Sequence, residues 1–119
     1  MGRAPGAPLA LDTLDKIRQL RDAWLSQDSA AILVKAPRLL DTAVRSEGVQ
    51  EAVYQIYVDA LLQESQFERV LQIAQDKKIA PAVRARLAVA RIYALYRLER
   101  YTEAQSLYAH LSYVSMLSL

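Results

Sequence analysis

The stretch Glu51–Leu111 reads EAVYQIYVDALLQESQFERVLQIAQDKKIAPAVRARLAVARIYALYRLERYTEAQSLYAHL, and it states nearly the same pattern twice. Phe67 in QESQFERVLQIA and Tyr101 in RLERYTEAQSLY stand 34 residues apart. At that offset Ala60 pairs with Ala94, Leu61 with Leu95 and Val70 with Ala104. A period of this length, filled by two helical segments, marks a stacked helical-hairpin repeat. One hairpin cannot bury its apolar face alone, so neighbouring hairpins complete the core. Alanines at matching places let paired helices approach closely, and an aromatic just after the turn fills the gap to the next hairpin.

Working outward, the same logic sets six helices. Asp12 is placed to cap the first, whose apolar stripe is Leu14, Ile17, Leu20, Trp24 and Leu25. Trp24, the only tryptophan, is expected to anchor the core. Asp28-Ser29 caps a second helix with Ile32, Leu33, Ala36, Leu39, Leu40, Ala43 and Val44 on one face. Pro37 should kink it near Ala36 without ending it, and Gly48 should close it as a C-cap. The third helix runs from about Val49 to Glu64, with Tyr54, Tyr57, Leu61 and Leu62 inward. The fourth spans Phe67 to about Lys77, where Lys77 and Lys78 suit the negative helix end. After Pro81 come a fifth helix, Ala82 to Arg97, and a sixth, Thr102 to about Tyr113. Leu25–Ala30 resembles Leu62–Phe67 at an offset of 37, which makes the first pair a degenerate copy.

Composition agrees. The chain of 119 residues is 53% hydrophobic and 24% charged, ordinary for a globular domain. Two of the three glycines and two of the four prolines fall in the first eight residues. The rest is rich in good helix formers. Residues 1–11 read as a flexible tail, 12–113 as the repeat domain and 114–119 as an apolar tail. Without cysteine there is no disulfide, thiol or zinc-finger chemistry. No apolar run approaches the roughly 18 to 20 residues needed to cross a bilayer. The start of the chain lacks the apolar core of a signal peptide. A cytoplasmic protein is expected.

These residues resemble the tetratricopeptide repeat family, over roughly Leu14 to Leu111. Tyr54 stands where that family usually has tryptophan, and Ala60 and Leu61 match its small and large positions late in the first helix. Phe67 and Tyr101 match the aromatic after the turn, and Ala104 the small residue of the second helix. Val58 and Ile92 replace the usual mid-helix glycine, and Pro81 only approximates the closing proline. The resemblance implies an all-α, right-handed solenoid of about three helical hairpins. Ala94–Tyr101 (ALYRLERY) with Thr102-Glu103-Ala104 is also similar to repeats of the large tetratricopeptide subunit of the signal recognition particle. Repeats of that kind bind a partner protein.

The residues do not point to catalysis. His110 is the only histidine, there is no cysteine, and Glu103 seven residues back on the same face reads as solvated helix; no phosphate loop, dinucleotide fingerprint or nucleophile elbow occurs. No catalytic residue, metal or cofactor is expected. The basic run is more telling: Lys77, Lys78, Arg84, Arg86, Arg91, Arg97 and Arg100 stand against Glu99 alone. In the family frame the inner groove takes Arg86, Val89, Tyr93, Tyr96 and Arg97 from the fifth helix. The third helix adds Ala52, Gln55, Asp59, Leu62 and Gln63, and the first adds Asp15, Arg18, Asp22, Leu25 and Ser26. Such a groove suits an acidic or amphipathic protein segment. It is unlike the chaperone-tail carboxylate clamp of some relatives, because Asp59 stands where that clamp needs a neutral or basic donor. The same basic run with interleaved tyrosines also suits RNA. The apolar C-terminus, with Tyr113, Val114, Met116, Leu117 and Leu119, is expected to meet a partner, a second copy or further repeats.

Overall fold

The computed structural model describes residues 11–41 and 47–117, with backbone alone for Glu47 and residues 113–117. Residues 1–10 of the expected tail 1–11, Ala43 and Val44 of the second helix, and the side chains of the apolar C-terminal segment lie outside the described residues, and Leu11 of that tail begins the first helix. All secondary structure among the described residues is helical: α1 (Leu11–Leu25), α2 (Ser29–Asp41), α3 (Glu47–Gln63), α4 (Phe67–Ala74), α5 (Pro81–Arg86), α6 (Ala88–Arg97) and α7 (Tyr101–Leu117). Contacts divide the chain into two compact units, Met1–Tyr57 and Val58–Leu119, and the division falls inside α3.

Three of the helix–helix connections, α1–α2, α3–α4 and α6–α7, share one geometry. Gln27, Ser65 and Glu99 each adopt a left-handed backbone, with φ of 58°, 57° and 61°. The Gln27 N–H donates to the Trp24 carbonyl at 3.1 Å and the Asp28 N–H to Ala23 at 2.9 Å. Ser65 and Gln66 donate to Leu62 (3.1 Å) and Leu61 (2.8 Å); Glu99 and Arg100 donate to Tyr96 (3.0 Å) and Leu95 (2.9 Å). This is the Schellman arrangement three times over, each satisfying carbonyls that a helix end leaves orphaned. The residues accepting the longer-range bond, Ala23, Leu61 and Leu95, are buried, as are Ile32, Val70 and Ala104 early in the following helices. The second and third turns keep the 34-residue offset. The first stands 38 before the second, not the 37 that residue chemistry alone suggested.

In the first unit α1 packs on α2. Leu20 and Ala23 meet a layer that includes Ile32, Ala36 and Leu39. Trp24 does not anchor this core: it is 47% exposed, and Leu14 and Leu25 are exposed beside it. The small Ala23 turns the buried stripe away from Trp24. With the offset of 38, Trp24 occupies the turn position that Leu62 and Tyr96 hold in the later hairpins. Asp28 caps α2 as its sequence implies, its Oδ1 accepting the Ala31 N–H at 3.1 Å. Asp12 lies within α1, where it pairs with Lys16 at 3.3 Å. α2 continues through Pro37 to Asp41. Gly48 lies in the first turn of α3 and not at the end of α2; an isolated glycine signals either position.

In the second unit α4 and α7 both pack on α6. The core comprises Val58, Ala60 and Leu61, five residues of α4 (Phe67, Val70, Leu71, Ile73 and Ala74), and then Ile79, Val83, Leu87, Ala94, Leu95 and Ala104. Ala60, Ala94 and Ala104 are at most 4% exposed, which is how these helices come close. α4 stops at Ala74, short of the expected Lys77. Asp76 accepts the Lys78 N–H at 2.9 Å through its side chain, and its carbonyl accepts the Ile79 N–H at 3.1 Å. Such an Asx turn competes with helical bonding.

The expected fifth helix is two helices, so the described residues hold seven and not six. The Leu87 N–H donates to Arg84, three residues back, at 3.0 Å, and Leu87 has φ −92° and ψ 5°. That single tightened turn divides α5 from α6 while keeping Leu87 buried. α7 extends to Leu117, so residues 114–117, read as a tail, are helical.

Candidate partner-binding groove

Leu62 and Gln63, at the end of α3, precede the left-handed turn at Ser65; Val89, Ala90 and Tyr93 lie on α6. Together with Asp59 they line one open groove of about 450 Å³ within the second unit. One pair of its wall residues is related by the repeat: Asp59 and Tyr93 are 34 residues apart. Val89 is 76% exposed and Tyr93 44%, so the floor is apolar surface facing solvent. Asp59, Gln63, Val89 and Tyr93 are thus brought together as their sequence positions suggested. Ala90, which the sequence reading passed over, joins them because it lies three residues before Tyr93 on α6.

Arg97 sits one turn beyond Tyr93 at the end of α6. Its guanidinium carbon lies 5.1 Å from the Phe67 ring centroid and 5.8 Å from that of Tyr93. Nη1 donates to the Tyr93 hydroxyl at 2.9 Å. Phe67 is buried and meets Tyr93 edge-on at 6.2 Å, which gives the guanidinium a fixed aromatic plate. The role of Phe67 as a base for Arg97 was not visible as a motif, although its position after the turn was.

The other expected residues are placed elsewhere. Tyr96 is 61% exposed and contacts Tyr101 edge-on at 5.0 Å, toward α7. Arg86 is exposed in the last turn of α5, outside the groove lining, because the step at Leu87 separates it from α6. Gln55 is exposed and belongs to the first unit. On α1, Arg18 bonds Asp15 at 2.6 Å and lies 3.7 Å from Asp22, so these charges pair with one another.

Much of the basic run is engaged inside the fold. The Arg84 Nε donates to the Ile79 carbonyl at 3.1 Å. Arg100 grips Glu103 with two bonds, Nε to Oε1 at 3.0 Å and Nη2 to Oε2 at 2.8 Å. Arg91 differs: it is half-buried, and its Nε is out of solvent without a hydrogen-bond partner among the described residues. The hydrogen bonds from Arg100 hold the Glu103 carboxyl below its ordinary value, with further help from the charges of Arg100 and Arg91. A carboxyl depressed in the folded state stabilises the fold above its unfolded pKa. That contribution disappears as pH falls through the folded value. Carbon-detected NMR titration should therefore place Glu103 below 4.5, and Arg100→Gln should move it up toward that ordinary value. A Glu103 midpoint unmoved by the substitution would mean that the pair is absent in solution.

Among the described residues no cluster of His, Asp and Glu could hold a metal ion, and His110 is exposed on α7. No described helix is long and apolar enough to cross a membrane. These observations define an all-helical protein with an open, apolar-floored groove bordered by an aromatic-backed arginine. No protein-family model, curated protein or solved structure matches the chain.

Proposed function

We propose that this chain is a non-catalytic interaction scaffold, built as a right-handed solenoid of three tetratricopeptide-like hairpins. It holds a partner peptide or helix in the groove between α3 and α6. Its proposed place is the cytoplasm, as an adaptor that can serve in a larger protein or ribonucleoprotein complex such as the signal recognition particle. The observation that carries this reading is the groove itself, since Val89 and Tyr93 of α6 face solvent beside the end of α3. The three matching Schellman turns and the packing of α6 on both α4 and α7 support the hairpin architecture.

The test is capture of proteins from lysate on the purified chain, with and without ribonuclease, run beside Val89→Asp. The exposure of Val89 makes that substitution tolerable to the fold, while it puts a charge on the groove floor. A partner that survives nuclease and is held about tenfold more weakly by the variant supports the scaffold. Capture indifferent to Val89→Asp removes the groove from the mechanism. Capture abolished by nuclease favours RNA binding through Lys77, Lys78 and the arginines up to Arg100. That alternative has less support because Arg84 and Arg100 are already bonded within the fold.

A further inference from the structure

The groove is electrically polar. Asp59 lies in its wall on α3, and Arg97 lies beyond Tyr93 on α6. Among the described residues neither has an oppositely charged group within ion-pair distance, whereas Lys16, Arg18, Arg21 and Arg100 all do. Asp59 shares the groove lining with Leu62, Val89 and Tyr93, and Arg97 stands one helical turn beyond Tyr93.

Arg97 is also prepared for a ligand. Its side chain is held by two rings and one hydrogen bond, so most of its rotational freedom is lost before anything binds. A guanidinium has five N–H donors in a planar fork, and the bond to Tyr93 uses one of them. A carboxylate approaching from solvent can take two parallel bonds at little ordering cost. A second carboxylate placed beside Asp59 in the groove lining would be repelled.

From this we infer that the groove selects an amphipathic protein segment of mixed charge in one direction only. Its acidic side chain pairs with Arg97, its apolar side chain packs against Leu62, Val89 and Tyr93, and its basic side chain lies toward Asp59. This rests on the groove reading above and adds the polarity of the partner. Val89, Tyr93 and Arg97 are spaced four residues apart on α6, about 6 Å per step. The acid and the apolar residue should therefore lie about 6–12 Å apart, or roughly two to four residues in an extended segment.

The experiment is selection from a random 12-residue peptide library displayed with blocked C-termini, against the intact chain and its variants. Wild type should enrich peptides with an acid, an apolar residue and a base in fixed order. Arg97→Gln should lose only the acidic preference and Asp59→Asn only the basic one. Asp59→Lys with Arg97→Glu should reverse the order. Replacing the selected acid by its amide should weaken binding to wild type about tenfold and leave binding to Arg97→Gln unchanged. Thermal melts of each variant separate loss of binding from loss of fold. Peptides that converge without charge order, or keep their order on the charge-swapped protein, overturn the polarity while leaving the groove intact. No convergence at all, or convergence unaffected by Val89→Asp, overturns the groove as well.

Discussion

Leu95→Ala is expected to lower the stability of the chain by about 2–5 kcal/mol, in the upper half of that range. Leu95 is 2% exposed, beside Ala94 at 0%, and Ala104 on the helix packed against it is 4% exposed. Two consequences follow from having alanines there. The methyl groups removed leave a cavity, and the small neighbours have no side-chain reach with which to fill it. Leu95 also lies in the last turn of the helix that carries Arg97, and its carbonyl accepts the Arg100 N–H that closes the turn to α7. Urea denaturation should show the loss as a lowered midpoint at nearly constant slope. Ala94→Leu tests the same contact from the other side, since overpacking costs about 1–3 kcal/mol. Trp24→Ala should cost about 1 kcal/mol or less despite removing the largest side chain in the protein, because nearly half of Trp24 faces solvent. If Trp24→Ala proved the more damaging substitution, the packing of both units would need revision.

The contrast between Leu95 and Trp24 shows what the sequence could disclose. Leu95 belonged to a pattern that appears twice at a fixed offset, and repetition identified it as a core position. Trp24 lay in the degenerate copy, where only apolar spacing was available. Spacing marks a stripe on a helix but not which edge of the stripe faces inward. The small Ala23 settled that, and alanine is ambiguous in any pattern. The groove was legible through the family resemblance, whose frame puts Asp59, Leu62, Gln63, Val89 and Tyr93 on inner helix faces; Asp59 and Tyr93 are also related by the 34-residue offset. Arg86 was misplaced because the step at Leu87 contains no glycine or proline to announce it. The bonded state of Arg84 and Arg100 was equally hidden, since a run of bases in sequence says nothing of which carbonyls and carboxylates it meets.

The register of the first hairpin gives the last and most discriminating expectation. Glycine at Gln27, Ser65 and Glu99 together should raise stability by about 1–3 kcal/mol. A left-handed backbone disfavours side chains with a Cβ, and the gain from removing it is partly offset by the freedom glycine adds to the unfolded chain. For a domain of this size the melting temperature should rise by roughly 5–15 °C. Glycine one residue earlier, at Ser26, Glu64 and Leu98, should do the reverse and cost about 0.5–1 kcal/mol per site, since those positions keep a right-handed backbone. The pair of triple variants reads the alignment directly. An offset of 37 would equate Gln27 with Glu64, whereas 38 equates it with Ser65. Single variants then assign the gain: Ser65→Gly stabilises and Glu64→Gly destabilises if the turns are the same structure repeated. Equal effects at the two positions would mean that the left-handed residues do not govern these turns. The common register that places Trp24, Leu62 and Tyr96 in equivalent positions would then fall with them.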